Sequence, residues 1–426
     1  MAVVRLPFIT AENVLIWSFL RSATDHSNAA ELSRRTTSKI FQRMNGFQTV
    51  ASLVVLSALL SYLNFRYVRL PPKIGVMLIS LLISLITIAA GRLGYTILRR
   101  DALEFLALID FRHTLLNGML AFLLFAGSLH VGLEELNREK AIVVVLSTIG
   151  VAISMVVVGG GMWTIGRLLG SQRSFAENLL FGALISPTDP IAVISVMKSA
   201  RAPKSLEVQL AGESLFNDGI GVVFFMLLQE IVEGDARPSV LYVASNFLEQ
   251  SVGGVAFGLI AGFIVFRMLK GIDDYHVEIL LTLALAMGAY ALADPLPVSA
   301  PIAVVSAGIL IGNPGRTLAM SKTTRDNLDS FWELLDEILN VVLFVLIGLE
   351  MLVVPFSRSL VSAGLSAIPV VILARWISVA GVIALFRIRR PIVAGSTLIL
   401  TWAGLRGGIS VALALSLAEG GVATSC

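Results

Sequence analysis

Apolar residues run continuously along most of this chain, with no alternation of period two. From residue 46 onward, stretches of about 18 or more apolar residues recur, each long enough to cross a bilayer as a helix. Twelve candidate spans are predicted, at about 46–64, 74–91, 113–131, 141–162, 176–199, 206–229, 250–269, 277–293, 298–312, 332–352, 361–386 and 392–416. Membrane barrel strands would alternate apolar and polar positions instead, so the pattern predicts an all-α polytopic membrane protein. Short linkers make successive helices antiparallel.

Two stretches interrupt the pattern with groups that a lipid-spanning helix avoids. The first is Ser186-Pro187-Thr188-Asp189-Pro190, where two prolines stop a regular helix and Asp189 is placed to cap the half-helix that follows. The second is Gly404-Leu405-Arg406-Gly407-Gly408 in the last span. Helices broken at membrane depth survive only where protein or a water-filled cavity satisfies the freed backbone groups. A pair of them in corresponding halves of a chain points to an inverted-repeat transporter with two crossed, discontinuous helices.

Between the two lies a span with polar residues on one face. Taking about 100° per residue from Glu213, Asn217 falls near 40°, Ser214 near 100° and Asp218 near 140°. Ser214 and Asp218 are i, i+4 neighbours able to hold one cation by oxygen ligands, and Glu213 and Asn217 stand at hydrogen-bonding spacing. Gly221, inside the same arc, lets another backbone approach. Ionisable groups inside a membrane are costly and mark ion or proton pathways by default. Arg375, deep in its own span, must meet a carboxylate, and Glu213 is the predicted partner, which leaves Asp218 for a transported ion. A purely structural role for Asp189 as a cap, or for the Glu213–Arg375 pair, stands beside these readings. Glu333, Asp336 and Glu337 open the tenth span and read as its solvated end, with Asn340 a weaker inward candidate. His113 and His130, flanking the third span, read as interfacial. Gly254, Gly258 and Gly262, four apart, read as a packing stripe.

Composition narrows the function. The chain has 426 residues, of which 56% are hydrophobic and 14% charged, with mean hydropathy +0.86; soluble domains carry about 25% charged residues. The isoelectric point near 9.1 reflects Lys and Arg in short loops and implies no nucleic-acid partner. Loops after odd-numbered spans carry sixteen Lys and Arg, loops after even-numbered spans eight. The richer side is cytoplasmic, which predicts a multi-pass protein of the cell (inner) membrane with the first span entering from outside. Residues 1–45 form a polar, basic extension whose charges oppose that placement, and a start at Met44 would remove the conflict. The single cysteine, Cys426, allows no intrachain disulfide. The sequence has no phosphate-binding glycine loop and no metal-ligand spacing, and it presents no nucleophile–base pair. It implies no cofactor and is not read as an enzyme.

These motifs together resemble the NhaP-type sodium/proton antiporters of the monovalent cation:proton antiporter-1 class, relatives of the sodium/hydrogen exchangers. The residues that carry the resemblance are Thr188-Asp189-Pro190, Gly212-Glu213-Ser214-Leu215-Phe216-Asn217-Asp218-Gly219, Ala374-Arg375-Trp376 and Gly404-Leu405-Arg406-Gly407-Gly408. The resemblance implies a homodimer in the lipid bilayer that exchanges Na+ (or Li+) for H+ electroneutrally by alternating access. It places the cation or proton at Asp218, with Ser214, Asp189 and Thr188 assisting and Asn217, Glu213, Arg375 and Arg406 in support. Asn217 stands where electrogenic relatives carry a second aspartate. The third span has Ala126 where the family often has an acid. The family runs to thirteen helices, of which residues 46–416 supply twelve, followed by a short tail over 417–426. A potassium/proton antiporter on the same scaffold, and a membrane sensor without turnover, are the alternatives.

Overall fold

The computed structural model describes residues 46–94, 118–170, 173–234, 239–354, 358–388, 392–404 and 406–419, together with 100, 102, 103 and 106. The extension over 1–45, including Met44, lies outside the described residues, as do His113 and the tail from 420 onward. Each of the twelve predicted spans contains helix among the described residues. They are α1 (Gly46–Leu63), α2 (Pro72–Arg92), α3 (Leu120–Leu129), α4 (Leu133–Leu168, with one wide turn at Leu146–Gly150), α5a (Phe175–Ile185) and α5b (Ile191–Ser199), α6 (Lys204–Glu233), α7 (Val240–Leu269), α8 (Tyr275–Ala293), α9 (Ala300–Leu310), α10 (Lys322–Glu350), α11 (Arg358–Arg387), and α12a (Ser396–Trp402) with α12b (Gly408–Glu419). Seven of these are long and apolar enough to cross a membrane whole: α1, α2, α4, α6, α7, α8 and α11. The fifth and twelfth spans are split, as Pro187, Pro190 and the glycines around Arg406 dictate.

Local signals start the helices where the sequence asks. Ser174 accepts from the Glu177 amide while the Glu177 carboxylate accepts from the Ser174 amide, a reciprocal capping box. Asp274, Ser299 and Ser321 cap α8, α9 and α10 more simply, each side chain accepting from backbone amides of the first turn. Outward faces stay apolar: Leu259, Ile260, Phe263 and Ile264 of α7 are all exposed, as lipid contact requires.

Packing divides the helices into two groups. In the first, α4, α5, α6, α11 and α12 meet around Ile142, Leu146, Val193, Leu206, Leu210, Val379 and Leu400. Gly159 of α4 lies against the Leu179 backbone of α5a, and Gly182 of α5a against the Met155 carbonyl. In the second group, α1–α3 and α7–α10 build a larger core. There buried Trp332 of α10 donates to Thr282 of α8 at 3.1 Å and stands 4.7 Å from the Phe125 ring of α3. The stripe on α7 is a packing surface: Gly254, Gly258 and Gly262 rest on Ser299, which caps α9, and on Ala303 and Ala307 of α9, and at Gly254 and Gly258 there is no room for a side chain. Helix α6 joins the groups, since Leu206 and Leu210 belong to the first core and Val223, Phe225 and Leu228 to the second, and Met155 of α4, Leu184 of α5a and Leu413 of α12b also pack into the second.

Candidate functional site

The two broken helices meet at their interruptions. The prolines at 187 and 190 leave the carbonyls at the end of α5a without intrahelical donors. Arg406, from the other break, donates through Nη1 to Ser186 O at 2.7 Å and Pro187 O at 3.2 Å. A cation thus closes the negative end of a half-helix. Gly407 lies against the Asp189 side chain, where an added Cβ would come 2.6 Å from the Asp189 Cβ. Gly221 of α6 is pressed against the Pro187 ring, the close approach its position predicts. Hydrogen bonding of α5b starts at Pro190, whose carbonyl accepts from Ile194 N at 2.7 Å. The helix thus begins just after Asp189, whose side chain also borders a cavity.

That cavity, about 450 Å³, is lined on one side by Asp189, Ser214, Asp218 and Ser410 and on the other by α3 and α10 of the second group. Asp189, Ser214 and Asp218 therefore converge although 25 residues separate Asp189 from Ser214 in sequence. A larger cavity, about 930 Å³, lies between α1 and α10 and is lined mainly by apolar side chains away from both breaks. Oxygen ligands suit a hard cation, and the smaller cavity holds them.

The other residues singled out in α6 are sealed away from it. Glu213, 1% exposed, takes both Nη atoms of Arg375, 6% exposed, in a bidentate pair, the second contact at 2.9 Å. Arg375 also donates to Leu400 O at 3.0 Å, tying α11 to α12a. With both oxygens of Glu213 engaged, Asn217 finds a different partner from the i−4 neighbour its spacing suggests. Its Nδ2 donates to Thr188 Oγ1 at 2.8 Å, linking α6 to the first break. Thr188 is thereby buried and does not line the cavity.

One expectation about the second group is corrected. Glu333 and Asp336 are not merely a solvated helix end: both line the cavity across from Asp218, with Asn340 one turn further in. Asn340, buried, donates to Asp336 Oδ1 at 2.9 Å, and Lys73 of α2 reaches Asp336 Oδ2 at 3.4 Å. The pattern of α10 alone does not reveal that α2 and α3 leave this face open to the first group. His130, read as interfacial, also stands at the cavity and contacts Ala126 O through Nδ1 at 2.9 Å. Glu337 faces the larger cavity.

A family model described as "Sodium/hydrogen exchanger, transmembrane" matches residues 54–425. The chain is 49% identical over 375 residues to the Na(+)/H(+) antiporter NhaP of Pseudomonas aeruginosa, an alignment covering 87% of this chain and 88% of that protein. It is 30% identical over 389 residues to the Na(+)/H(+) antiporter NhaH of Halobacillus dabanensis, covering 88% and 90%. The fold is similar to that of the sodium proton antiporter MjNhaP1 from Methanocaldococcus jannaschii, with TM-score 0.68 and 22% identity over 88% of this chain and 87% of that one.

Proposed function

The chain belongs to the sodium/hydrogen exchanger family, and on that footing we propose that it exchanges Na+ for H+ by making the two compete for Asp218. The observation that carries this reading is the convergence of Asp218, Ser214 and Asp189 on one cavity between the two broken helices. The relatives carry sodium/proton antiporter names, which favours Na+ over K+ as cargo and turnover over a sensor role.

Each step follows from the charge of one group. Ionised, Asp218 holds Na+ with the oxygens of Ser214 and Asp189; protonated, it has no charge to hold it. Carrying the bare anion between the two sides would cost several kcal/mol of desolvation, on the order of that for any unpaired ion in a protein interior. Only the loaded forms therefore cross, and that restriction couples the two fluxes. Arg406 supports the site by holding the two breaks together, and Asn217 by fixing Thr188. With Asp218 the one group that alternates between Na+ and a proton, Glu213 paired with Arg375 and Asn217 neutral, one charge is exchanged for one, so turnover is electroneutral. The transporter works as a homodimer in the inner membrane, with its first span entering from outside.

The test uses proteoliposomes loaded with a pH dye. A pulse of Na+ should move protons at the same rate with the membrane voltage clamped at zero or set to either sign. Protons that do not move in response to Na+ would refute the exchange, and a rate that follows the voltage would refute its electroneutrality.

A further inference from the structure

Ser410, in the first turn of α12b, is a buried hydroxyl with nothing to bond. It is 8% exposed, and its Oγ has no hydrogen-bond partner. Other buried serines of this protein hand their proton to a backbone carbonyl three or four residues back: Ser128 to Phe125 O, Ser306 to Ile302 O and Ser416 to Leu413 O, all between 2.7 and 2.8 Å. Buried polar groups are almost always paired, and one left without a partner calls for an explanation. Among the described residues, four buried serine hydroxyls lack a partner: Ser57, Ser154, Ser251 and Ser410. Of these, Ser410 alone lines the cavity that holds Asp189, Ser214 and Asp218.

Its place in the fold says what the missing partner is. Gly407, three residues earlier, lies against the Asp189 carboxylate, where an added Cβ would come 3.0 Å from Oδ2. Gly407 and Ser410 both line the cavity together with Asp189, so the segment from Gly407 into the first turn of α12b borders it on this side. Arg406, on the same segment, donates through Nη1 to Ser186 O and Pro187 O, and neither its Nε nor its Nη2 bonds the Ser410 hydroxyl. An oxygen with free lone pairs, beside a cavity bearing two carboxylates, meets the needs of a hard cation.

We propose that Ser410 supplies a hydroxyl ligand to the transported Na+, so that the ion touches both broken helices at once. This rests on the assignment of the ion to Asp218. It adds that the second break is part of the binding site as well as its support, and that Na+ binding draws α12b toward α5 and α6.

The experiment pairs transport with cation-dependent stability. The Ser410→Ala, Ser410→Thr and Asp218→Asn variants are compared with the parent protein. The apparent KM for Na+ is measured in proteoliposomes, and Tm in detergent is measured in NaCl against choline chloride. Ser410→Ala should raise the KM by about tenfold, which corresponds to about 1.4 kcal/mol, and shrink the Na+-induced rise in Tm. Its Tm in choline should be unchanged or higher, because an unbonded hydroxyl has been removed. Ser410→Thr should restore both. If Ser410→Ala accumulates poorly, Ser410→Cys replaces it, since a soft sulfur is a poor ligand for a hard cation. An unchanged KM and an undiminished Na+ shift in Ser410→Ala would overturn the proposal, as would a lower Tm in choline with an unchanged KM. Asp218→Asn separates the two claims: if it retains Na+ exchange, the assignment to Asp218 has failed, whatever Ser410 does.

Discussion

Glu213 and Asp218 stand five residues apart on the same helix, yet their surroundings have little in common. Glu213 faces α11 and α12a, almost without exposure, with both oxygens on the Arg375 guanidinium. Asp218 faces a cavity in company with Asp189 and Ser214. A bidentate guanidinium pair saturates one carboxylate and leaves no vacancy for a small cation. A carboxylate beside a cavity, with hydroxyl and carboxylate neighbours, can take a cation and let it go. In the proposed function one helix thus carries a charge that holds the fold and a charge that does the transport, and what separates the roles is whether the counter-ion is tethered.

That contrast can be tested first at its strongest point. Arg375→Ala strands the Glu213 carboxylate in the interior, and breaking a buried pair costs about 3–5 kcal/mol. Purified Arg375→Ala should unfold at a markedly lower temperature and accumulate poorly. Normal stability with lost transport would move Arg375 into the transport machinery and erase the contrast. Next in size is Asn217→Ala, which removes the donor to Thr188 between the two acids. Loss of a buried hydrogen-bond partner costs about 1–3 kcal/mol. A fall in Tm of that order should accompany slower exchange, while an unchanged Tm would mean that the α6–break link contributes nothing.

Asp274 sharpens the comparison from outside the membrane as an acid that neither pairs deeply nor lines the cavity. Amide donors from His276 and Val277, the His276 one first, hold its carboxyl below the ordinary value. A lowered folded-state value means that the stability it contributes is present above the unfolded value and lost as pH falls through the folded one. Asp274→Ala should lower Tm slightly at neutral pH, and the difference from the parent should vanish in acid. A difference that persists in acid would mean that the cap acts through something other than its charge.

Much of this is legible in the amino-acid sequence. Continuous apolar runs mark all twelve spans, and Pro187, Pro190 and the glycines around Arg406 mark both breaks, because proline and glycine act on the backbone locally. The Glu213–Arg375 pair was readable for a different reason: in lipid a lone arginine has few affordable partners. Asn217 was misread because helical spacing shows which neighbours are possible but not which are already engaged. Glu213 was engaged by a residue 162 positions away, and Thr188 was brought close only by the break. Glu333 and Asp336 look from their own helix like a wetted end. Their place on the cavity wall depends on α2 and α3 leaving that face of α10 open, and no local pattern records that.

The account stands most directly on Asp218→Asn set beside Glu213→Gln, each measured for Tm and for Na+-driven proton flux in proteoliposomes. The account predicts that Asp218→Asn folds with a Tm at or above that of the parent protein and moves no protons in response to Na+. Glu213→Gln should lose stability because Arg375 is left with a neutral partner. Sodium-driven flux surviving in Asp218→Asn, or an undisturbed Tm in Glu213→Gln, would contradict the division of labour proposed for α6.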